Sequence, residues 1–564
     1  MLGMTLAPET VGEAWLRLLK TRGIDFLFAN AGTDFPSIVE GIARAEQNGI
    51  AIPRPIVCGH ENAAISMAHG HAMVSGRAQA VAVHVNVGTA NAINGLINAD
   101  RDYVPLLLAA GRTPLLESGA AGARSLNIHW AQEMFDQAGM VRESVRWDYE
   151  LKDPRQLVPA TDRALAIAHS DPSGPVYMTL PRELLAMGPA GDSIDAAPLM
   201  QPARVGAPDP ADVAAAAALL SAAKSPVIVT ARAGVDKAVP TLLSKFAARI
   251  GAPVVEYRPR HLSLSSEDAF HGGFEIGPWL AEADVVLVFE CDVPWMPASD
   301  RTASGLQVIQ VGIDPLQARY PMRGFRSDLT IRTSPRLFLQ AMLDEVGAKG
   351  GDAGRHATVI QRCTQMRENA FAAGAKQPLQ ITMAWASACL DRARAPGSIL
   401  VNEYPLIRQV MKTTQPGEFY GSSPAGGLGW GLPAAMGAKL AAPDREVIAA
   451  LGDGSHLFSN PIACHQIAAA ENIPILVMIF NNASWGAVAR ATRAMYPDGY
   501  AARANQMPLT RFEPVPEYAG IARACGLWAD SVEDPALLPD ALGRAFAEIR
   551  TNKRCAVLDV RCAG

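Results

Sequence analysis

Paired cysteines are missing from this chain. Its eight cysteines, at 58, 291, 363, 389, 464, 525, 555 and 562, never form a C-x-x-C. Scattered in this way they build neither a disulfide framework nor a zinc-site spacing. Concentrated positive charge is missing too: the net charge is −5 and no basic block stands out. That excludes the electrostatic footprint of a nucleic-acid partner. No apolar run reaches the roughly 18 residues of a membrane span. Residues 1–15 have neither the basic start nor the apolar core of a secretory signal. The expectation is a cytoplasmic protein with neither nucleic acid nor membrane as partner.

What is present is a long chain, 564 residues with 49% hydrophobic composition. That is too much for one core. From residue 10 to 185, helical and strand patterns alternate. Thr10–Thr21 reads as a helix, Phe26–Ala29 and Pro55–Cys58 as strands, and Glu61–Ser75 as a helix. Ala80–Val85 and Leu106–Ala110 read as strands, with a helix from Asn91 between them. Residues 186–210 are rich in Pro, Gly and Ala, like a linker. A second block follows, with helices at Asp212–Ala222 and Val239–Ile250. Its strands are Pro226–Thr230, Pro253–Glu256, Ala283–Phe289 and Gln307–Ile313. A connector at 346–378, expected to include a helix, leads to a third block. Alternation of this kind implies βαβ units and parallel sheets. The expected architecture is α/β, with three doubly wound parallel-sheet domains at 1–186, 208–345 and 379–564.

The most informative stretch runs from Glu446 to Ala487. Val447–Leu451 and Ile475–Phe480 are short apolar runs that read as buried strands. Gly452-Asp453-Gly454 breaks the first, Pro461–Ala470 is a helix, and Asn481-Asn482 ends the second. In an open parallel sheet, ligands bind beyond the carboxyl ends of the strands. Asp453 and Asn482 both sit there. A carboxylate and an amide oxygen suit Mg²⁺ or Ca²⁺, and Mg²⁺ commonly shares its shell with phosphates. Gly454 and Ser455 lead into a helix whose N-terminus favours an anion. Either turn alone is common. Together, each after a buried strand and with 26 residues between Gly454 and Asn481, they point to a metal-bridged diphosphate.

This G-D-G…N-N arrangement resembles the cofactor motif of thiamine-diphosphate-dependent enzymes. The resemblance implies thiamine diphosphate and Mg²⁺ as cofactors, with Asp453, Asn482 and the Ser484 carbonyl on the metal. Gly452, Gly454, Ser455, Trp485 and Gly486 would line the same site. G-G-L-G-W-G-L-P-A-A-M-G resembles a second family segment. There Leu428 would bend the cofactor, and the Gly426 carbonyl would accept the pyrimidine amino group. G-H-E-N-A-A-I-S resembles the helix start whose Glu contacts the aminopyrimidine ring, here Glu61. His71 stands where the family often has an aromatic residue. Without the resemblance, an acidic residue in a first helical turn is explained by the macrodipole alone. H-V-N-V-G-T-A-N resembles the active-site run of benzoylformate decarboxylase, implying His84. In N-A-G-T-D-F-P, Thr33 stands in place of that enzyme's active-site Ser. Gln132 falls near the F-Q-E segment of acetolactate synthase. Pro405 and Leu406 replace a Thr and a Ser that contact the diphosphate.

By that resemblance the first domain binds the pyrimidine and the third the diphosphate. The central domain holds FAD in some relatives. This one has neither a G-x-G-x-x-G nor a flavin signature, so FAD is disfavoured. The site would lie between subunits of a homodimer or homotetramer. The implied activity is non-oxidative decarboxylation of a 2-oxo acid, through ylide attack on its keto carbonyl. The alternatives are a carboligase or lyase acting on 2-hydroxyketones or 2-hydroxyacyl-CoA, and a non-catalytic subunit of the same fold. Residues 488–516, with Arg490, Arg493, Arg503 and Arg511, are expected to cover the site.

Overall fold

The structure is a computed structural model that describes residues 6–190, 197–347 and 353–563. Six short strands form a first sheet: β1 Phe26–Asn30, β2 Arg54–Val57, β3 Ala80–Val83, β4 Leu106–Arg112, β5 Asp148–Glu150 and β6 Pro175–Pro181. Five form a second: β7 Pro226–Thr230, β8 Val254–Glu256, β9 Val285–Phe289, β10 Gln307–Gly312 and β11 Leu329–Arg332. Six form a third: β12 Ile399–Glu403, β13 Phe419–Gly421, β14 Val447–Gly452, β15 Leu476–Asn481, β16 Trp528–Val532 and β17 Ala556–Arg561. The strands of each sheet pair in parallel. The chain therefore has three parallel-sheet α/β domains.

Strand order locates the crevices. The first sheet runs β2-β1-β3-β4-β6-β5 and the third β13-β12-β14-β15-β17-β16. In each, the chain steps outward once and then returns past its starting strand. The reversal falls between β1 and β3 in the first sheet, and between β12 and β14 in the third. Ligands of open α/β sheets bind beyond the carboxyl ends of the strands at this reversal. Asn30 pairs with Val83, and Glu403 with Leu451, so those ends are level with one another. The second sheet runs β11-β10-β9-β7-β8, and its reversal lies between β7 and β9.

The first and third domains dock through two helices, Glu61–Ser75 and Gly431–Ala441. Their backbones cross at glycines. A Cβ on Gly70 would collide with the Ala434 carbonyl, and one on Gly437 with the Met67 carbonyl. One apolar core runs through this crossing and joins Ile65, Ala68, Leu432 and Ala435. Nearly every residue of both helices is buried, which is why neither shows an amphipathic stripe.

Two readings of the chain are amended. The turn after β14 is a short helix, Asp453–Phe458, broken at Asn460 with φ 54° before helix Pro461–Ala470. The helix expected from Asn91 starts at Val85, immediately after His84. The connector 346–378 contains the helix expected there, Ala353–Ala375. Residues 191–196 of the expected linker, and 348–352 of that connector, lie outside the described residues.

Candidate active site

Beside the reversal of the third sheet, the neighbouring strands β14 and β15 deliver Asp453 and Asn482 side by side. Asp453 is buried; its Oδ1 accepts the Gly454 N–H at 2.8 Å and its Oδ2 the Ser484 N–H at 3.3 Å. The Asn482 Oδ1 accepts the same Ser484 N–H at 3.2 Å. The two adjacent asparagines differ in role. Asn481 turns away and donates to the Asp559 Oδ1 at 2.9 Å, whereas Asn482 shares a donor with Asp453. Ala483, between Asn482 and Ser484, is left-handed at φ 54°. Burial pushes the Asp453 carboxyl up to about 6, against the backbone N–H bonds that lower it. A cation beside it would reverse that. The donors here are a carboxylate, an amide oxygen and the Ser484 carbonyl, all hard oxygens. They fit Mg²⁺ sharing its shell with a diphosphate. The Ser484 carbonyl also accepts the Gly486 N–H at 2.9 Å, leaving its second lone pair. Gly454 admits no side chain, since a Cβ there would collide with the Trp485 ring. Trp485 in turn packs edge-on against Phe458 and Phe512.

Across the reversal, β12 ends in Glu403, which the sequence reading did not single out. Its carboxylate is buried and accepts the Gly429 N–H at 2.8 Å and the Gly431 N–H at 2.5 Å. Burial raises its pKa to about 7, although those amides and the Ser455 hydroxyl pull it down. Glu403 thus holds the turn that opens helix Gly431–Ala441. The signal for it was position alone, an acidic residue at a strand end. The next residue, Tyr404, is left-handed at φ 82° and its hydroxyl lies beside Gly426.

The Gly426–Gly429 loop is also gripped by the first domain. Asn62, Asn94 and Asn98 donate to the carbonyls of Gly429, Leu428 and Gly427. Gly426 and Gly429 have φ of 69° and 85°, conformations that a side chain would strain.

The carboxyl ends of β2, β1 and β3 in the first sheet carry the other group. Glu61, buried, opens its helix and accepts from the Asn91 Nδ2 at 3.0 Å. A Cβ on Gly88 would lie 3.2 Å from its Oε1. His84 follows β3. Its Nδ1 lies 2.5 Å from the Asp34 Oδ1, and Asp34 Oδ2 accepts the Val85 N–H at 3.3 Å. The hydrogen bond to buried Asp34 raises the His84 pKa, outweighing the burial that lowers it. His84 Nε2 lies 3.4 Å from the Gln132 amide nitrogen. Thr33 is exposed, and the residue against His84 is its neighbour Asp34. Asp34 needs Gly111, where any Cβ would overlap its carboxylate. Val85, β-branched, is held at φ 32°. Strain at Val85, Tyr404 and Ala483 is of the kind that collects at functional sites.

In one chain these remain two groups. Among the described residues, no hydrogen bond or ion pair joins Glu61, His84 or Asp34 to Asp453, Asn482 or Ser484. Arg490, Arg493, Arg503 and Arg511 are exposed, on or near helices Gly486–Met495 and Tyr500–Arg503.

Comparison with known proteins agrees with this geometry. The N-terminal TPP binding domain of thiamine pyrophosphate enzymes matches residues 9–140, the central domain 213–342 and the C-terminal TPP binding domain 403–560. A sulfoacetaldehyde acetyltransferase of Rhodobacter capsulatus is 29% identical, over 96% of this chain and 93% of its own. A benzoylformate decarboxylase of Pseudomonas aeruginosa is 27% identical, over 85% of this chain and 87% of its own. The solved structure of a thiamine diphosphate-dependent 4-hydroxybenzoylformate decarboxylase from Rhodococcus jostii RHA1 superposes with a TM-score of 0.79. It is 21% identical and covers 98% of this chain and 99% of its own. That likeness speaks to the fold.

Proposed function

The chain belongs to the thiamine pyrophosphate enzyme family, and on that premise we propose that it is a Mg²⁺-dependent, non-oxidative decarboxylase of a 2-oxo acid. The bound cofactor supplies an electron sink for the carbon that loses carbon dioxide. This chain's residues supply the rest. Asp453, Asn482 and the Ser484 carbonyl hold the metal, with Gly452, Gly454, Ser455, Trp485 and Gly486 around the diphosphate. Gly426 and Leu428 meet the pyrimidine side, and Glu61 holds a proton at the ring nitrogen that faces it. Thr33 is exposed one residue before Asp34, on the same side as His84.

The observation that favours decarboxylation is the Asp34–His84 pair. A decarboxylase finishes by giving a proton to the carbon that lost carbon dioxide, whereas a carboligase must withhold it. His84, with Nδ1 on Asp34 and its pKa raised by that hydrogen bond, is placed to hold and deliver a proton at Nε2. The alternative is a carboligase or acyl transferase. It is supported by the similarity to a sulfoacetaldehyde acetyltransferase across nearly the whole chain. A non-catalytic role is disfavoured by the joint presence of Glu61, Asp453 and Asn482.

The test is to load the protein with thiamine diphosphate and Mg²⁺ and offer a panel of 2-oxo acids, alone and with acceptor aldehydes. Carbon dioxide with an equivalent of free aldehyde supports the decarboxylase. Turnover only with an acceptor, giving a hydroxyketone, sinks it in favour of the carboligase.

A further inference from the structure

Four consecutive carbonyls run from Gly426 to Gly429, and three are taken by asparagines of the first domain. Asn98 donates to Gly427 at 2.8 Å, Asn94 to Leu428 at 3.0 Å and Asn62 to Gly429 at 3.2 Å. Asn98 also accepts the Gly427 N–H at 3.1 Å, so one side-chain amide pairs with both edges of that residue. The loop's later N–H groups, of Gly429 and Gly431, go to Glu403. Among the described residues, no hydrogen bond uses the Gly426 carbonyl.

The asparagines follow a pattern. Asn91, Asn94 and Asn98 recur three and four residues apart on helix Val85–Arg101, and so share one face. Asn91 donates to the Glu61 Oε2 at 3.0 Å, while Asn94 and Asn98 reach the loop. One row of a chain therefore touches both elements assigned above to the pyrimidine side, each in the site to which the chain lends it. Simple adhesion between domains does not call for such a row. The glycine crossing of helices Glu61–Ser75 and Gly431–Ala441 already joins them through an apolar core, and the buried Asn98 amide must be desolvated before it pairs.

We propose that Asn91, Asn94 and Asn98 are positioning residues for the cofactor's aminopyrimidine ring. Asn94 and Asn98 fix the loop so that the Gly426 carbonyl alone stays open to a ligand, and Asn91 fixes the Glu61 carboxylate. This rests on the cofactor reading given above, and deepens it. The two ends of the row have different duties and therefore different signatures. Loss of a loop contact weakens cofactor binding. Loss of Asn91 leaves the binding loop intact and slows turnover.

The experiment uses full-length apo-protein titrated calorimetrically with thiamine diphosphate in Mg²⁺ buffer, with hydrogen exchange followed at the Gly427–Gly431 amides. Asn98→Ala is expected to raise the cofactor Kd roughly 5- to 15-fold and to speed exchange in the loop, the loss of one or two hydrogen bonds. Asn94→Ala, at an exposed position where folding tolerates the change, is expected to do the same more weakly. Asn91→Ala is expected to keep the wild-type Kd and to lose about tenfold in kcat at saturating cofactor. Wild-type Kd and wild-type loop exchange in both loop variants would overturn the proposal. So would weakened binding that tracks a lowered apo melting temperature with no change in loop exchange. If the wild-type protein itself bound no cofactor, both readings would fall together, whereas binding that is intact in every variant overturns the asparagine row alone.

Discussion

At the scale of single residues, the site combines groups the sequence announced with groups it hid. Glu61, Asp453 and Asn482 were legible because each follows a strand end within a recognisable run. Asp34 was not, because attention fell on the hydroxyl of Thr33, and only folding shows which neighbour meets His84. Glu403 was hidden for a related reason: one carboxylate at a strand end carries no pattern until the Gly429–Gly431 turn folds over it. Two outcomes follow. Glu61→Gln keeps the hydrogen bond from Asn91 on its amide oxygen but abolishes the carboxylate; decarboxylation is expected to fall about 10²- to 10⁴-fold, measured as carbon dioxide release under saturating cofactor. Turnover near the wild-type rate would remove Glu61 from its role. The second concerns pH. His84 has its pKa raised by Asp34, and in the proposed decarboxylation the protonated form is the active one. Activity should hold below that raised pKa and decline as pH rises through it. Asp34→Asn removes the raising partner, so the declining limb of kcat should move to lower pH. A limb that stays in place would detach Asp34 from the chemistry.

At the scale of elements, apolar runs sufficed to place β7, β14 and β15 nearly residue for residue, since buried parallel strands read as continuous hydrophobic stretches. What they left obscure was how the chain leaves a strand. Helix Asp453–Phe458 passed for a turn because two glycines and an aspartate look like one. Its helical start depends on the Asp453–Gly454 contact and on Trp485 lying where a side chain would be. The docking helices were hard to orient for another reason: burial on all sides leaves no stripe to follow. Their crossing gives a direct test. Gly437→Ala would press a methyl into the Met67 carbonyl. It should destabilise the protein by about 1–3 kcal/mol, as overpacked cores do, and lower the melting temperature. The change should be felt at the cofactor loop as well, because helix Gly431–Ala441 begins where Glu403 holds it. An unchanged melting temperature would mean that the two helices separate at little cost.

At the scale of the whole molecule, three sheets share one logic and put it to different uses. The reversal of the first carries Asp34 and His84, and that of the third carries Glu403 and Asp453. The equivalent place in the second, beyond β7 and β9, is filled by an ion pair between buried Arg232 and Glu290 at 2.7 Å. Tyr103 of the first domain lies against the Arg232 guanidinium and donates to Gln317 at 2.7 Å. A dinucleotide would have to break that packing and leave charges unpaired, which costs several kcal/mol. The purified protein is therefore expected to show no flavin absorption and to gain none on incubation with FAD. The two remaining groups must still meet to form one site, and among the described residues no hydrogen bond or ion pair joins Glu61 to Asp453 within a chain. A site shared between subunits solves this, with Glu61 from one protomer and Asp453 from its partner. Such sharing has a consequence that a site within one chain lacks. Glu61→Gln and Asp453→Asn should each be inactive as homodimers. Co-expressed, they form mixed dimers in which one site receives both mutations and the other receives neither. With random pairing, half of the dimers are mixed and half of their sites intact, so about a quarter of wild-type activity should return. Return of that activity, measured on co-expressed variants that each purify folded and inactive, would place the site across the subunit boundary. No return, in preparations shown to contain mixed dimers, would confine both groups to a single chain and require a closure within it that brings Glu61 to the diphosphate.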